Sequence, residues 1–183
     1  MAHTEELLNR DALDRNPVFA HERWQVRLEN GQTAGREMIR HPGGVAIVVV
    51  DADDRLLMVR QYRSGMGQES LEIPAGTRDP GETPEDCGRR ELEEECGLIA
   101  GVLEPLATLY PTPAYCDEKI WIFTAKGLAP GHVHPDEDEF ITVEWVPLAR
   151  AEQMVLAGEI EDAKTQIAIL KYTALRRKGE VHE

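Results

Sequence analysis

Residues 76–98 read GTRDPGETPEDCGRRELEEECGL, and this stretch predicts one strongly charged helix behind a loop rich in glycine and proline. Thr83 is a suitable N-cap, because a threonine side chain can accept a hydrogen bond from the first free amides of a helix. Pro84 fits the first helical position, where no amide donor is needed. Gly97 suits the left-handed residue that ends many helices. We therefore expect a helix over residues 84–96.

Four glutamates lie in the second half of this helix, and three of them share one face. At about 100° per residue, Glu94 and Glu95 lie at roughly 300° and 40° when Glu91 is set at 0°. Glu93 lies near 200°, on the far side, where it can pair with Arg89. Like charges this close repel each other, and one nearby arginine does not balance three carboxylates. Such oxygen ligands suit Mg²⁺ or Mn²⁺, and a solvated acidic helix face is the alternative interpretation.

The spacing of the fixed residues is more specific than the charge pattern. Gly76, Glu82 and the run 90–98 (RELEEECGL) match every fixed position of the Nudix box, so the chain resembles the Nudix hydrolase superfamily. The resemblance implies an α+β fold, the Nudix α/β/α sandwich of mixed sheets, with an N-terminal antiparallel strand extension. Residues 1–40 would form the arm and strands for dimerisation and the adenosine pocket, as part of the same domain, and 41–183 the hydrolase domain.

The resemblance also implies roles for the matching residues. The implied ligands of Mg²⁺, with Mn²⁺ as an alternative ion, are Glu91, Glu94, Glu95 and the backbone carbonyl of Ala75. Glu82 and Arg90 would form an ion pair that fixes the loop against the helix. The bound ions would shield a diphosphate, orient the water and stabilise the leaving phosphate.

Features outside the box resemble the ADP-ribose pyrophosphatase branch. Pro113 lies 16 residues after the last glycine of the box, the spacing typical of this branch, although Ala114 stands where glycine is usual. Residues 59–63 and 71–76 resemble the strands that lead into the box, and 158–165 resembles the entry to the last helix. The implied reaction is Mg²⁺-dependent hydrolysis of the pyrophosphate bond of ADP-ribose or a related ADP-sugar, giving AMP and ribose 5-phosphate.

Members of this branch commonly exchange their N-terminal strands, so the resemblance implies a homodimer in which both subunits build each adenosine pocket. An aromatic ring stacked on adenine beside a carboxylate is a sensible recognition device. The residues that match the lining of this pocket are Trp24, Arg36, Glu37 and Arg63, with Glu72 and Glu118 as candidate ribose contacts. Ordinary packing of Trp24 and a surface ion pair of Arg63 are the competing interpretations.

The general base is expected in residues 136–140 (DEDEF). Members of the branch often use a glutamate on a loop after the last long pair of strands, and Glu137 and Glu139 both fit. A carboxylate at this place could accept the proton of the attacking water. A plain acidic surface loop is the alternative.

The composition limits the classes of partner that the protein could bind. A length of 183 residues suits one domain, and a net charge of -14 without a basic stripe argues against nucleic acid. No window approaches the roughly 18 apolar residues of a membrane span, and the first residues lack the pattern of a signal peptide. We therefore expect a cytoplasmic protein that binds neither nucleic acid nor membranes, and the resemblance implies a nucleoside diphosphate derivative as its substrate. The three cysteines are odd in number and indicate neither a disulfide framework nor a zinc site.

Hydrophobic patterning predicts the remaining elements. Strands are expected at 24–29, 33–39, 44–50, 55–61, 70–73, 107–110, 119–125 and 141–146, and further helices at 148–157 and 163–177. Residues 1–20 are expected to form a loosely held arm with about one helical turn. Two rival functions stay open: hydrolysis of another nucleoside diphosphate derivative, and a Nudix module that senses nucleotides without catalysis.

Overall fold

A computed structural model of the chain describes residues 3–134 and 140–180, and these adopt an α+β fold. The strands are β1 (Glu6–Arg15), β2 (Ala20–Arg27), β3 (Thr33–Arg40), β4 (Gly44–Val48), β5 (Arg55–Arg63), β6 (Gln68–Glu72), β7 (Ala75–Thr77), β8 (Leu98–Ile99), β9 (Val102–Leu109), β10 (Ile120–Lys126), β11 (Ala129–Pro130) and β12 (Thr142–Pro147). The helices are α1 (Pro84–Cys96), α2 (Leu148–Leu156) and α3 (Ala163–Arg177). The chain divides into two compact units, residues 1–43 with 110–119 and residues 44–109 with 120–183.

The first unit contains an antiparallel sheet in the order β1-β2-β3. Gly31 in the connection between β2 and β3 has a φ of 81°, the left-handed conformation that an Asn-Gly hairpin turn requires. The segment 110–119 adds to this unit, because the amide of Ile39 donates to the carbonyl of Tyr115 at 2.7 Å.

Strand β1 shows that the expectation of a loosely held arm over residues 1–20 is wrong. All ten residues of β1 are exposed, so the strand carries no alternation of buried and exposed positions that a sequence pattern could reveal. Its conformation comes from pairing with β2, with Arg10 opposite Trp24. The register shifts after Leu7 and after Ala12, and each irregularity breaks the period of two further.

The second unit is a sandwich around β4. This strand pairs in parallel with β10 and antiparallel with β7, which makes the sheet mixed. All five residues of β4 are buried, as the continuous apolar run predicts. Val45 and Ile47 pack in one cluster with Leu92 of α1, whereas Ala46 packs in another with Ile169 of α3. Because alternate residues of a strand point to opposite faces, β4 holds α1 on one side and α3 on the other.

Strand β9 begins five residues earlier than the expected 107–110. Proline cannot donate a ladder hydrogen bond, so Pro105 hid this part of the strand from the sequence pattern. In the structure β9 is at the edge of its sheet, and a register shift leaves Leu106 between the paired residues Pro105 and Ala107. Both helices expected after the box are confirmed. Asp162 is the N-cap of α3, and its side chain accepts a hydrogen bond from the amide of Thr165 at 2.9 Å.

Candidate active site

Helix α1 begins and ends at the expected residues. The hydroxyl of Thr83 accepts a hydrogen bond from the amide of Asp86 at 3.1 Å, and Pro84 occupies the first turn. Gly97 adopts a φ of 64°, and its amide donates to the carbonyl of Glu93 at 2.8 Å. These caps fix the length of the helix and therefore the positions of its glutamates along the sheet.

Arg90 is the central cation of the site. Its Nε and Nη2 donate to the two carboxylate oxygens of Glu82 at 2.9 and 3.1 Å, the pairing that the resemblance implied. Its Nη1 lies 2.8 Å from Glu91 and 2.8 Å from Glu94. The hydrogen bond from Arg90 holds the pKa of Glu82 below its usual value, against an opposing effect of burial. One guanidinium thus draws three carboxylates together across the loop and the helix.

Glu91 fills the space that a side chain at position 76 would need. A Cβ on Gly76 would lie 1.9 Å from the carboxyl carbon of Glu91, and the glutamate is only 8% exposed. Glycine at position 76 is therefore required for the carboxylate of Glu91 to lie against the backbone of β7.

Glu95 contacts Ala75, the residue before Gly76 in β7. Its Oε2 accepts a hydrogen bond from the amide of Ala75 at 3.2 Å, and only 3% of the residue is exposed. Ala75 is held in place by the core, because it pairs with Ala46 of β4. The backbone of residues 75–76 therefore lies against two carboxylates of α1.

This donor set fits a hard divalent cation. Glu91 and Glu95 are buried and Glu94 is half-buried, and all three are oxygen donors of the kind that Mg²⁺ and Mn²⁺ prefer. Within residues 3–134 and 140–180, no three His, Cys, Asp or Glu side chains converge closely enough to hold an ion as they are arranged. Arg90 binds two of the carboxylates and the Ala75 amide binds the third.

Glu93 lies away from this site, but the expected pairing with Arg89 is wrong. Arg89 donates to the backbone carbonyl of Ala100, and Glu93 accepts from the amide of His132 at 3.4 Å. The helical spacing predicted the correct side of the helix. The partners differ because the segment after β11 packs along the end of α1, where the amide of Gly131 donates to the carbonyl of Gly97 at 2.8 Å.

Glu72 and Arg63, both expected to contact substrate, form a partly buried ion pair with each other. Nε and Nη2 of Arg63 donate to the two oxygens of Glu72 at 2.8 and 2.6 Å, and the Glu72 side chain is 1% exposed. Lys164, which sequence reasoning missed, donates to the same carboxylate at 2.5 Å. Burial alone would raise the pKa of Glu72, but these two cations outweigh it and lower the pKa from 4.5 to about 2.

Trp24 and Glu118 lie in the first unit with nearby charged partners. The guanidiniums of Arg10 and Arg40 lie 4.7 and 5.6 Å from the centre of the Trp24 ring, within range of a cation–π interaction. Glu118 lies 3.7 Å from Nδ1 of His41. Their roles in substrate binding stay predictions.

Arg36 and Glu37, neighbours on β3, are engaged in ion pairs. Arg36 donates to Glu5, and Glu37 accepts from Arg23 at 2.6 Å and contacts His21 at 2.8 Å. These pairs are partly exposed and so contribute little to stability. Substrate recognition by Arg36 and Glu37 also stays a prediction.

The two candidates for the general base, Glu137 and Glu139, lie outside the described residues. The described chain before them approaches the glutamates of α1, because the amide of His134 donates to the carbonyl of Glu94 at 3.0 Å. Nε2 of the same histidine lies 3.7 Å from Oε1 of Glu94.

Comparison with known proteins agrees with this site. Residues 40–167 match the NUDIX domain model, and the chain belongs to this family. Over 146 residues it is 40% identical to an ADP-ribose pyrophosphatase from Bacillus subtilis (strain 168) and to a methanol dehydrogenase activator from Bacillus methanolicus, with 79% of each chain covered in both comparisons. A crystal structure of an ADP compounds hydrolase superposes with a TM-score of 0.83 at 28% identity, covering 99% of both chains. The fold is therefore the α+β Nudix fold that the box implied.

Proposed function

We propose that this protein is a Mg²⁺-dependent Nudix pyrophosphatase that hydrolyses ADP-ribose, or a related ADP-sugar, to AMP and ribose 5-phosphate. The observation that carries this proposal is the folded geometry of the box. Gly76 leaves the space that Glu91 occupies, and Glu95 bonds to the adjacent amide of Ala75. The relative from Bacillus subtilis and the solved hydrolase support ADP-ribose and related ADP compounds as the substrate class.

Some residues of the site would bind the metal ions, and others hold these ligands in position. When bound, divalent ions neutralise the diphosphate and polarise the bond that breaks. Glu91, Glu94, Glu95 and the Ala75 carbonyl would hold these ions. Arg90, anchored at both oxygens of Glu82, keeps the loop 77–83 against α1 so that the ligands stay together. Glu137 or Glu139 would accept the proton of the attacking water.

The adenosine end and the homodimer belong to the same proposal. Trp24 lies opposite Arg36 on the neighbouring strand, so their side chains share one face of the sheet, which supports a shared role in recognising the base. Glu37 follows Arg36 and lies on the other face, where it pairs with Arg23. The edge strand β1 of that sheet exposes Leu7, and exposed apolar groups on an edge strand favour a partner subunit. Light scattering in solution should give twice the chain mass of 20.5 kDa. A monomer would refute the exchange of strands.

The state of the cysteine thiols supports a proposal for the cellular compartment of the protein. No helix among the described residues is long and apolar enough to cross a membrane. The three cysteines are free, and burial raises the pKa of Cys87 to about 12, so its thiol stays protonated. Free thiols suit a reducing compartment, which supports the cytoplasm.

The decisive experiment is a substrate screen with product analysis. The protein is incubated with Mg²⁺ and ADP-ribose, other ADP-sugars, GDP-mannose, a nucleoside triphosphate or a dinucleoside polyphosphate, and products are separated by chromatography. We expect AMP and ribose 5-phosphate from ADP-ribose, and no reaction in excess EDTA. Faster turnover of another compound, with ADP-ribose left intact, would contradict the proposed substrate.

The relative named as a methanol dehydrogenase activator supports a second candidate, action on another enzyme. Hydrolysis by the purified protein alone at ordinary enzyme rates would establish catalysis independent of a partner. A protein that binds ADP-ribose without hydrolysing it, whatever the ion, would favour a sensing or activating role.

A further inference from the structure

Lys164 stands at a position that helix physics alone does not favour. It is the second residue of α3, where the positive end of the helix dipole opposes a cation. Its side chain is nevertheless only 11% exposed. Nζ donates to Oε2 of Glu72 at 2.5 Å and to Oδ1 of Asp162 at 3.0 Å. A tertiary contact with Glu72 therefore accounts for this lysine.

The first turn of α3 holds two consecutive residues at the end of β6. Lys164 binds Glu72, and the hydroxyl of Thr165, which is fully buried, accepts from the amide of Ile73 at 3.1 Å. Three residues after Glu72 the chain reaches Ala75, whose amide donates to Glu95. The start of α3 is thus tied to the segment that leads into the carboxylate site.

Glu72 transmits this constraint to Arg63. Both oxygens of Glu72 receive the Nε–Nη2 edge of the guanidinium, and this bidentate contact fixes the plane of the group. The Arg63 side chain is 38% exposed. Glu72 lies three residues before Ala75, whose amide donates to Glu95, so the contact with Glu72 places Arg63 beside the segment that leads into the carboxylate site.

We propose that Lys164 is a positioning residue for the diphosphate substrate, acting through Glu72 to hold the guanidinium of Arg63 beside the carboxylate site. This inference rests on the proposed function, because it needs an anionic substrate at that edge. Without Lys164, the buried carboxylate of Glu72 has one cation instead of two, and it turns toward water together with Arg63. Lys164 itself touches no substrate.

The test combines steady-state kinetics with binding in the absence of turnover. Lys164→Met should raise the KM for ADP-ribose about tenfold while kcat changes less than about threefold, since the ions and the water remain in place. Calorimetry in EDTA should show a similar rise in the Kd for ADP-ribose. Lys171→Met, on an exposed lysine of the same helix, is the matched control and should leave both values unchanged.

A double-mutant cycle separates positioning from stability. Glu72→Gln removes the buried charge, so adding Lys164→Met to it should change KM and Kd less than about twofold. This pair also remains informative when Lys164→Met alone fails to fold. Wild-type KM and Kd in folded Lys164→Met, or an equal tenfold loss in both backgrounds, would overturn the proposal. The substrate screen on the wild-type protein is done first. If another compound is hydrolysed instead of ADP-ribose, only the proposed substrate is refuted. The double-mutant cycle is then measured with that compound.

Discussion

Replacing Gly76 with alanine tests the geometry of the carboxylate site directly. The added methyl group would lie 1.9 Å from the carboxyl carbon of Glu91, whereas ordinary contact begins near 3.4 Å. The carboxylate therefore has to retreat by about 1.5 Å. The φ angle of Gly76 is not positive, so the backbone at this position can accommodate alanine. The end of a flexible glutamate moves more easily than the sheet, and we expect Gly76→Ala to fold.

A displacement of about 1 Å at a catalytic group costs on the order of a hundredfold in rate. We therefore expect the kcat/KM of Gly76→Ala for ADP-ribose to fall by about a hundredfold at limiting Mg²⁺, with weaker Mg²⁺ uptake by calorimetry. The Tm should stay within about 4 °C of wild type, which corresponds to about 1 kcal/mol in a chain of this size. Gly65→Ala is the matched control, because its methyl group meets nothing within 4 Å.

Activity and Mg²⁺ affinity equal to those of Gly65→Ala would refute the reasoning that Glu91 must occupy this space to bind an ion. A second background tests the cause. In Glu91→Ala no carboxylate remains to be displaced, so adding Gly76→Ala should lower activity less than about twofold further. A large further loss would show that Gly76 acts through another neighbour.

Glu95→Gln should retain the fold but lose about a hundredfold in kcat/KM, because an amide is a weaker metal ligand than a carboxylate. The kcat/KM of Glu93→Gln should stay within about threefold of wild type. Similar losses for the two variants in steady-state assays would contradict the assignment of helix faces. Of Glu137→Gln and Glu139→Gln, one should show a selective fall in kcat with Mg²⁺ affinity retained, which identifies the base, and two silent variants would remove both candidates. Folding depresses the pKa of Glu72 from 4.5 to about 2. Its contribution to the free energy of unfolding, on the order of 3 kcal/mol, is therefore complete above about pH 5 and is lost as pH falls from 4.5 toward 2. Denaturant unfolding of wild type and Glu72→Gln between pH 7 and 3 should show the difference shrinking as pH falls, and a constant difference would contradict this.

Short sequence patterns were enough to predict those parts of the fold that depend on a few neighbouring residues. The caps of α1 at Thr83 and Gly97 and the buried run of β4 follow from single residues or short patterns, and the structure confirms them. Strand β1 has no such signal, because every one of its residues is exposed and only pairing with β2 defines it. The first part of β9 was hidden by Pro105, which is tolerated at the edge of a sheet.

The spacing from Gly76 to the glutamates of α1 was enough to identify the family and the reaction class, because it matches the Nudix box on one short helix. Which charges meet depends instead on the packing of the folded chain. Arg90 binds Glu91 and Glu94 as well as Glu82, Arg89 turns to a carbonyl instead of Glu93, and Lys164 reaches Glu72 across 92 residues of chain. Helical spacing fixes the side on which a residue lies, but long charged side chains choose partners from whatever the packing of distant strands and helices brings near.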